Sequence, residues 1–151
     1  MRGQKNFFSR LPPGAARLLR AARVAHLATA DRRGRPHVVP ICFALDGGNL
    51  FTPLDAKPKK SAPLNLKRVR NIAVNPHVAV VVDHYDEDWR RLGYVLLQGT
   101  AKLLHRGSRH SRAIGLLRTK YPQYRAMRID AAPVIMITVR HIYTWIAKAA
   151  N

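Results

Sequence analysis

The sequence NLFTPLDAKPKKSAPLNLKRVRNIAVNP, residues 49–76, contains a short strand, a loop rich in Pro and Lys, and a basic helical segment. The strand ends at Thr52, and the residues after it place six cations close together along the chain. These cations are Lys57, Lys59, Lys60, Lys67, Arg68 and Arg70, and Ser61 adds a second hydroxyl. A bound phosphate needs several cations, short hydroxyl donors and backbone N–H groups at a helix start. The segment therefore predicts a phosphate site, with a solvated basic face as the alternative.

The composition is that of a strongly basic globular protein. The chain has 151 residues, of which 47% are hydrophobic, and its 27 Lys and Arg against 8 Asp and Glu give a net charge of +19. This length and hydrophobic content predict one domain over residues 1–151, with residues 1–15 loosely attached. The charge favours a polyanionic ligand, either nucleic acid or a phosphorylated cofactor with an anionic tail.

Nucleic-acid binders usually interleave aromatic side chains with their cations or present a recognition helix. Phe7 and Phe8 give the sole hint of such a pattern, so we expect any nucleic-acid binding to be non-specific. Cys42 is the only cysteine, which excludes an internal disulfide, and its apolar strand is typical of a small buried side chain. No apolar run approaches the ~20 residues of a membrane span, and no secretory signal is recognisable. These features predict a cytoplasmic protein.

Hydrophobic periodicity and turn residues predict an antiparallel, mainly β (α+β) fold. The predicted strands cover residues 24–30, 37–45, 49–52, 78–82, 94–104, 133–139 and 142–146, and the predicted helices cover residues 11–23, 66–73 and 108–121. Pro40 predicts an edge or bulged position for its strand, and the run at residues 78–82, rich in β-branched valine, predicts a strand buried on both faces. Six to seven short strands with about three covering helices indicate a small β-barrel.

Three stretches of the chain resemble a known family. They are HVVPICFALDGGNLFTPLDAKPKK at residues 37–60, LKRVRNIAVNPHVAVVVDHYDEDW at residues 66–89 and YVLLQGTAKLL at residues 94–104. Their sequence and order resemble the pyridoxamine 5'-phosphate oxidase-like split β-barrel superfamily, and within it the branch that uses the deazaflavin coenzyme F420. The resemblance spans about residues 16–147. It implies an FMN-binding-like split barrel that forms a homodimer, with two cofactor sites at the dimer interface.

The resemblance also implies an activity and a set of binding residues. The expected activity is an oxidoreductase that transfers a hydride between F420 and a small organic substrate, with FMN as the alternative cofactor. In this family a hydroxyl at the end of the third strand and the basic residues after it hold the cofactor phosphate. Those positions are Thr52, Lys57, Lys59, Lys60, Ser61 and, in the following helix, Arg68. Backbone groups around Val39, Pro40 and Ile41 would lie along the cofactor ring.

No catalytic residue is assigned, because the cofactor carries the reacting carbon and the protein supplies binding and orientation. Tyr85 and Tyr94 are weaker candidates for proton donation, since tyrosines in strand-rich folds usually pack with their hydroxyls satisfied locally. His37 or His84 is a weaker candidate for haem ligation, and no histidine spacing indicates a zinc site. A non-enzymatic cofactor carrier or nucleic-acid-binding module is the alternative function.

Overall fold

The computed structural model describes residues 7–54 and 63–148. In this part of the chain the strands are β1 (Ala25–Ala30), β2 (Pro36–Ile41), β3 (Ala44–Asp46), β4 (Asn49–Pro53), β5 (His77–His84), β6 (Gly93–Leu104) and β7 (Val134–Ile146). The α-helices are α1 (Pro13–Ala21), α2 (Lys67–Val74) and α3 (Ser108–Lys120). The predicted mainly β fold, with six to seven strands and three helices, is confirmed.

The seven strands form one antiparallel sheet in the order β2-β1-β5-β6-β7-β4-β3. The first and last strands of this order, β2 and β3, are joined along the chain by Cys42 and Phe43 alone. In a flat sheet, six spacings of ~4.8 Å would place these strands about 29 Å apart, whereas three extended residue steps span at most about 11 Å. The sheet must therefore curl until its two edges approach each other, which is the geometry of a split barrel.

Three expected strands differ from those observed. The strand expected at residues 37–45 is interrupted at Cys42, because β2 pairs with β1 while β3 pairs with β4. The strands expected at residues 133–139 and 142–146 form the single strand β7, which pairs with β6 across a register shift between Gln98 and Gly99. A Cβ atom at Gly99 would lie 2.0 Å from the carbonyl oxygen of Thr138, so the close approach of β7 requires glycine.

The position of Pro40 and the burial of β5 test two further expectations. β2 is an end strand of the sheet, as Pro40 predicts. In β5, Val80 and Val82 point into the core, whereas Val81 on the opposite face is half-buried. The expectation that residues 78–82 are buried on both faces is therefore wrong, because this part of the sheet packs on the core with one face.

The hydrophobic core has two parts. The larger part fills the curled sheet and receives α1 and α2, whose side chains Leu19 and Ile72 pack into it. The smaller part lies beneath α3, where Leu117 and Tyr121 pack against Phe51 of β4. Burial of a large apolar side chain contributes about 1.5–3 kcal/mol, so these contacts hold all three helices on the sheet.

Candidate functional site

The structure describes only the two ends of the predicted phosphate segment. Lys57, Lys59, Lys60 and Ser61 lie outside the described residues, and their predicted role is untested. Thr52 is 1% exposed and pairs with Ile135 of β7. It is therefore buried in the sheet and does not lie on the protein surface. Arg68 is half-buried in the first turn of α2.

A buried hydrogen bond fixes α2 on the sheet. The side-chain amide Nδ2 of Asn71 donates to the hydroxyl oxygen of Thr29 in β1 over 2.9 Å, and both residues are buried. Val69 and Ile72 of the same helix enter the core. Lys67 and Arg70 therefore lie toward solvent, close to the turn between β1 and β2.

The turn between β1 and β2 forms a basic depression with the exposed side of α2. We call this surface the turn patch, and its cations are Arg32, Arg33, Arg35, Lys67 and Arg70. They surround a depression of about 310 Å³ whose sole carboxylate, among the lining residues described, is that of Asp31. Five cations against one carboxylate leave a large positive excess, which is suited to an anionic ligand.

Asp31 organises the turn patch and neutralises only part of it. Its carboxylate accepts hydrogen bonds from the backbone N–H groups of Arg33 and Arg35 and from Nε of Arg35, the last over 2.7 Å. Lys67 Nζ lies farther away, at 3.9 Å. The hydrogen bonds from the Arg35 backbone and then from its side chain hold the pKa of Asp31 below its ordinary value. The carboxylate is thus committed mainly to Arg35 and more weakly to Lys67, so it cannot neutralise all five cations.

The turn patch contains residues that sequence reasoning did not assign to a site. Arg32, Arg33 and Arg35 lie in the turn between β1 and β2, more than thirty positions before Lys67 in the sequence. Three arginines within four residues of a hairpin turn were the available signal. Only the packing of α2 across β1 shows that this cluster continues the cations of the phosphate segment.

The strand expected to lie along a cofactor ring, β2, has an accessible outer face. Val38 is 61% exposed and Pro40 is exposed, while Ile41 is buried on the inner face and Val39 is half-buried. Among the described strands, β2 pairs only with β1. Its other edge therefore offers backbone groups to a ligand. The structure places Val39 to Ile41 at the rim of the sheet.

The outer face of β6 and β7 exposes aromatic side chains. We call this surface the aromatic face, and it consists of Tyr94, Leu96, Tyr143 and Trp145. The rings of Tyr94 and Trp145 stack with centroids 6.3 Å apart, and Tyr143 is 55% exposed. A contiguous apolar surface of this kind is typical of an interface. The proposed proton donor Tyr94 belongs to this stack, whereas Tyr85 contacts Glu87 in an exposed loop.

The histidines considered for haem have different surroundings. Nδ1 of His37 is enclosed by protein and, within the described residues, lacks a hydrogen-bond partner. His84 is exposed, with Nε2 3.7 Å from a carboxylate oxygen of Asp86. Over residues 7–54 and 63–148 no group of three His, Cys, Asp or Glu side chains is placed to hold a metal ion. Over the same residues, no helix is both long enough and apolar enough to span a membrane.

A fold of this kind, with a basic depression beside an accessible edge strand, agrees with a comparison to known protein families. The family profile of pyridoxamine 5'-phosphate oxidase matches residues 11–146. The chain belongs to this family. The match includes every described strand and α-helix, and it confirms the family resemblance seen in the sequence.

Known proteins of several kinds are similar to this chain in sequence or in structure. A curated relative, the 5a,11a-dehydrotetracycline/5a,11a-dehydrooxytetracycline reductase of Streptomyces rimosus, is 33% identical over 95 residues, which are 62% of this chain and 64% of the relative. The chain thus matches less than two thirds of that reductase. A solved structure described as an F420 reductase is 22% identical, with a TM-score of 0.64 over 88% of this chain and 98% of the other.

A third similar structure is HutZ of Vibrio cholerae, described as a heme storage protein. It is 16% identical, with a TM-score of 0.67 over 89% of this chain and 94% of the other. At these identities the solved structures establish the shared fold alone.

Proposed function

We propose that this family member is an oxidoreductase that transfers a hydride between the deazaflavin coenzyme F420 and a small organic substrate. Its family and the similarity to a tetracycline-type reductase support redox chemistry. The observation that carries the choice of F420 is the turn patch, with five cations around one carboxylate beside the predicted phosphate segment.

In the proposed site, different parts of the chain bind the phosphate, the ring and the tail of the cofactor. Lys57, Lys59, Lys60 and Ser61 hold the phosphate together with Arg68 at the start of α2, whereas the buried Thr52 lies in β4, the strand that leads into them. The backbone of Val39 to Ile41 lies along the ring. When bound, F420 supplies the carbon that gives or accepts the hydride. The protein then has to bind the cofactor, orient the substrate against it and shield both from water. A site with no assigned catalytic side chain agrees with this role.

The turn patch distinguishes F420 from FMN. The two cofactors share a tricyclic ring and a phosphate, but F420 continues beyond the phosphate into an oligoglutamate tail with several carboxylates. Lys67 and Arg70 lie at the helical end of the phosphate segment and line the same depression as the cations of the β1–β2 turn. Carboxylates bound by Arg and Lys form charge-assisted hydrogen bonds, so this surface suits the tail.

We further propose that the protein works as a homodimer. The aromatic face exposes three large rings on one side of the sheet, and a second copy would cover them. A split barrel leaves β2 at the rim of one subunit, where a partner subunit can complete the ligand groove.

Equilibrium titration of the purified protein with F420 and with FMN, at low and at high salt, tests the proposed function. F420 should bind more tightly at low salt, and its advantage should shrink as salt rises, because exposed charges are screened over about 10 Å at 0.1 M. Tighter FMN binding at every salt concentration would overturn the choice of F420 and leave a flavin oxidoreductase. An absorption band of bound haem in the purified protein would instead favour haem storage, the role by which one structural neighbour is described.

A further inference from the structure

A cleft lies between α1 and the connection from β5 to β6, and we call it the α1 cleft. Its volume is about 500 Å³, within the range of small-molecule sites. None of its described lining residues belongs to the turn patch or is assigned to the phosphate or the ring of the cofactor. The cleft is therefore separate from the proposed cofactor site.

The walls of the α1 cleft are held in place by backbone contacts. On α1, residues 14, 17, 18 and 21 line the cleft, a spacing that places all four on one side of the helix. Ile146 of β7 lies against two glycines, since a Cβ atom would come within 3.2 Å of its side chain at Gly14 and within 2.7 Å at Gly93. The carbonyl oxygen of Leu92 accepts a hydrogen bond from the backbone N–H of Ala147 over 2.9 Å. The cleft is thus preorganised for a ligand.

The apolar part of the α1 cleft is aliphatic. Leu18, Leu92 and Ile146 line it, and each of these residues is half-buried, so part of its apolar surface meets solvent. Among the lining residues that the structure describes, none besides His84 has a ring. Removal of apolar surface from water is favourable. This surface therefore suits a hydrocarbon chain.

The charged groups at the α1 cleft leave a positive excess. Arg17 and Arg91 line it, and Arg17 forms no ion pair within the described residues. One carboxylate oxygen of Asp86 lies 3.3 Å from Nε of Arg91 and 3.7 Å from Nε2 of His84. The other oxygen accepts a hydrogen bond from the backbone N–H of Asp88 over 2.8 Å. Two guanidinium groups against this carboxylate leave one positive charge, before any protonation of His84.

We propose that the α1 cleft binds an aliphatic monocarboxylate, which is a single carboxylate on a hydrocarbon chain. The chain lies on Leu18, Leu92 and Ile146, and the carboxylate lies toward Arg17. One carboxylate matches the one uncompensated positive charge, and a guanidinium group offers it paired N–H donors. This ligand site goes beyond the proposed oxidoreductase activity and does not depend on it.

The proposed dimer leaves the α1 cleft open. Tyr94 and Trp145 of the aromatic face directly adjoin Gly93 and Ile146 in their strands. Successive residues of a strand point to opposite faces of the sheet. The α1 cleft and the aromatic face therefore lie on opposite sides of β6 and β7, and a second copy bound to the aromatic face would not cover the cleft.

An NMR titration of the isotope-labelled full chain with octanoate, 1-octanol and acetate tests the site. Octanoate should shift the backbone amide signals of Leu18, Leu92 and Ile146 and saturate them. It should bind about tenfold more tightly than acetate, which lacks the chain. It should bind about threefold more tightly than octanol, which lacks the charge. Octanoate that binds no more tightly than either probe, or shifts that are spread over the whole basic surface, would overturn the proposal.

A pair of variants on α1 tests the role of Arg17. Arg17→Met should weaken octanoate binding about threefold and leave octanol binding unchanged. Because Arg17 is exposed, this variant should fold normally. Arg20→Met removes an exposed arginine from the same helix that lines a different depression, and it should leave octanoate binding unchanged. Equal losses in the two variants, or no loss in Arg17→Met, would contradict the assignment of the carboxylate to Arg17.

The failure of this proposal and the failure of the proposed function are distinguishable. Protein that binds F420 but not octanoate would retain the oxidoreductase and lose the α1 cleft as a ligand site. Protein that binds octanoate but neither F420 nor FMN would retain the ligand site and lose the redox role. If both stand, F420-loaded protein should bind octanoate without releasing F420, and displacement of F420 by octanoate would overturn the assignment of a separate site.

Discussion

Asn71 connects a sequence motif to the position of the proposed cofactor site. The stretch RNIAVNP suggests a helix followed by a stop, and the structure shows that its first asparagine bonds Thr29 inside the protein. We expect Asn71→Leu to destabilise the fold by about 1–3 kcal/mol, because it leaves the Thr29 hydroxyl buried and unpaired. Urea denaturation measures this change.

The Thr29→Val variant provides the control for this prediction. Combining Asn71→Leu with Thr29→Val removes both polar partners, so the double variant should be more stable than the sum of the two single losses predicts. Strictly additive losses would mean that the hydrogen bond contributes nothing beyond the packing of each side chain.

The lowered pKa of Lys120 predicts that the free energy of unfolding depends on pH. Its pKa is about 8 in the folded protein against an ordinary value of 10.5, so the unfolded chain holds this proton more tightly. Between pH 8 and pH 10.5 the unfolded state therefore binds more protons, and the free energy of unfolding rises with pH. The rise should be about 1–2 kcal/mol after discounting for the partial exposure of Lys120. Denaturation at several pH values should show this rise in the original protein and a smaller one in Lys120→Met; equal slopes would contradict it.

At the level of secondary structure, β6 and β7 approach each other closely at the register shift between Gln98 and Gly99. We expect Gly99→Ala to cost about 3 kcal/mol or more, because the added Cβ would meet the Thr138 carbonyl oxygen at 2.0 Å and must displace a strand. Gly115→Ala in α3 is the matched control. No atom lies within 4 Å of that Cβ, so helix propensity should raise stability by about 0.5–1 kcal/mol. A tolerated Gly99→Ala would show that the bulge is not needed.

The elements that the sequence predicts best are those set by local signals. Asp46-Gly47-Gly48 correctly indicates the hairpin between β3 and β4, and Pro40 correctly indicates an end strand. The break between β2 and β3 and the continuity of β7 were not predictable, because both depend on which distant strand each segment pairs with. The turn patch was missed for the same reason, because it joins residues far apart in the sequence.

At the level of the whole molecule, the aromatic face predicts the oligomeric state. Trp145→Asp should convert the proposed homodimer to monomer, because a charge would have to be buried against the second copy. Tyr85→Asp changes a side chain that is 64% exposed in the loop after β5, and this control should remain dimeric. Light scattering on the two variants and the original protein measures the masses. A monomeric original protein at micromolar concentration would contradict the dimer and its proposed shared site.

The segment between β4 and α2 contains the proposed phosphate site. Its direct test is equilibrium titration of F420 against the variant in which Lys57, Lys59 and Lys60 are all alanine. Each charge-assisted bond to a phosphate is worth roughly 1.5–3 kcal/mol, so the affinity should fall by orders of magnitude while the melting temperature stays almost unchanged. A control with the exposed Arg20, Lys102 and Arg106 changed to alanine loses the same charge and should bind F420 nearly as well as the original protein. F420 binding that survives the loss of the three lysines, or that falls equally in the control, would contradict the assignment of the phosphate to this segment.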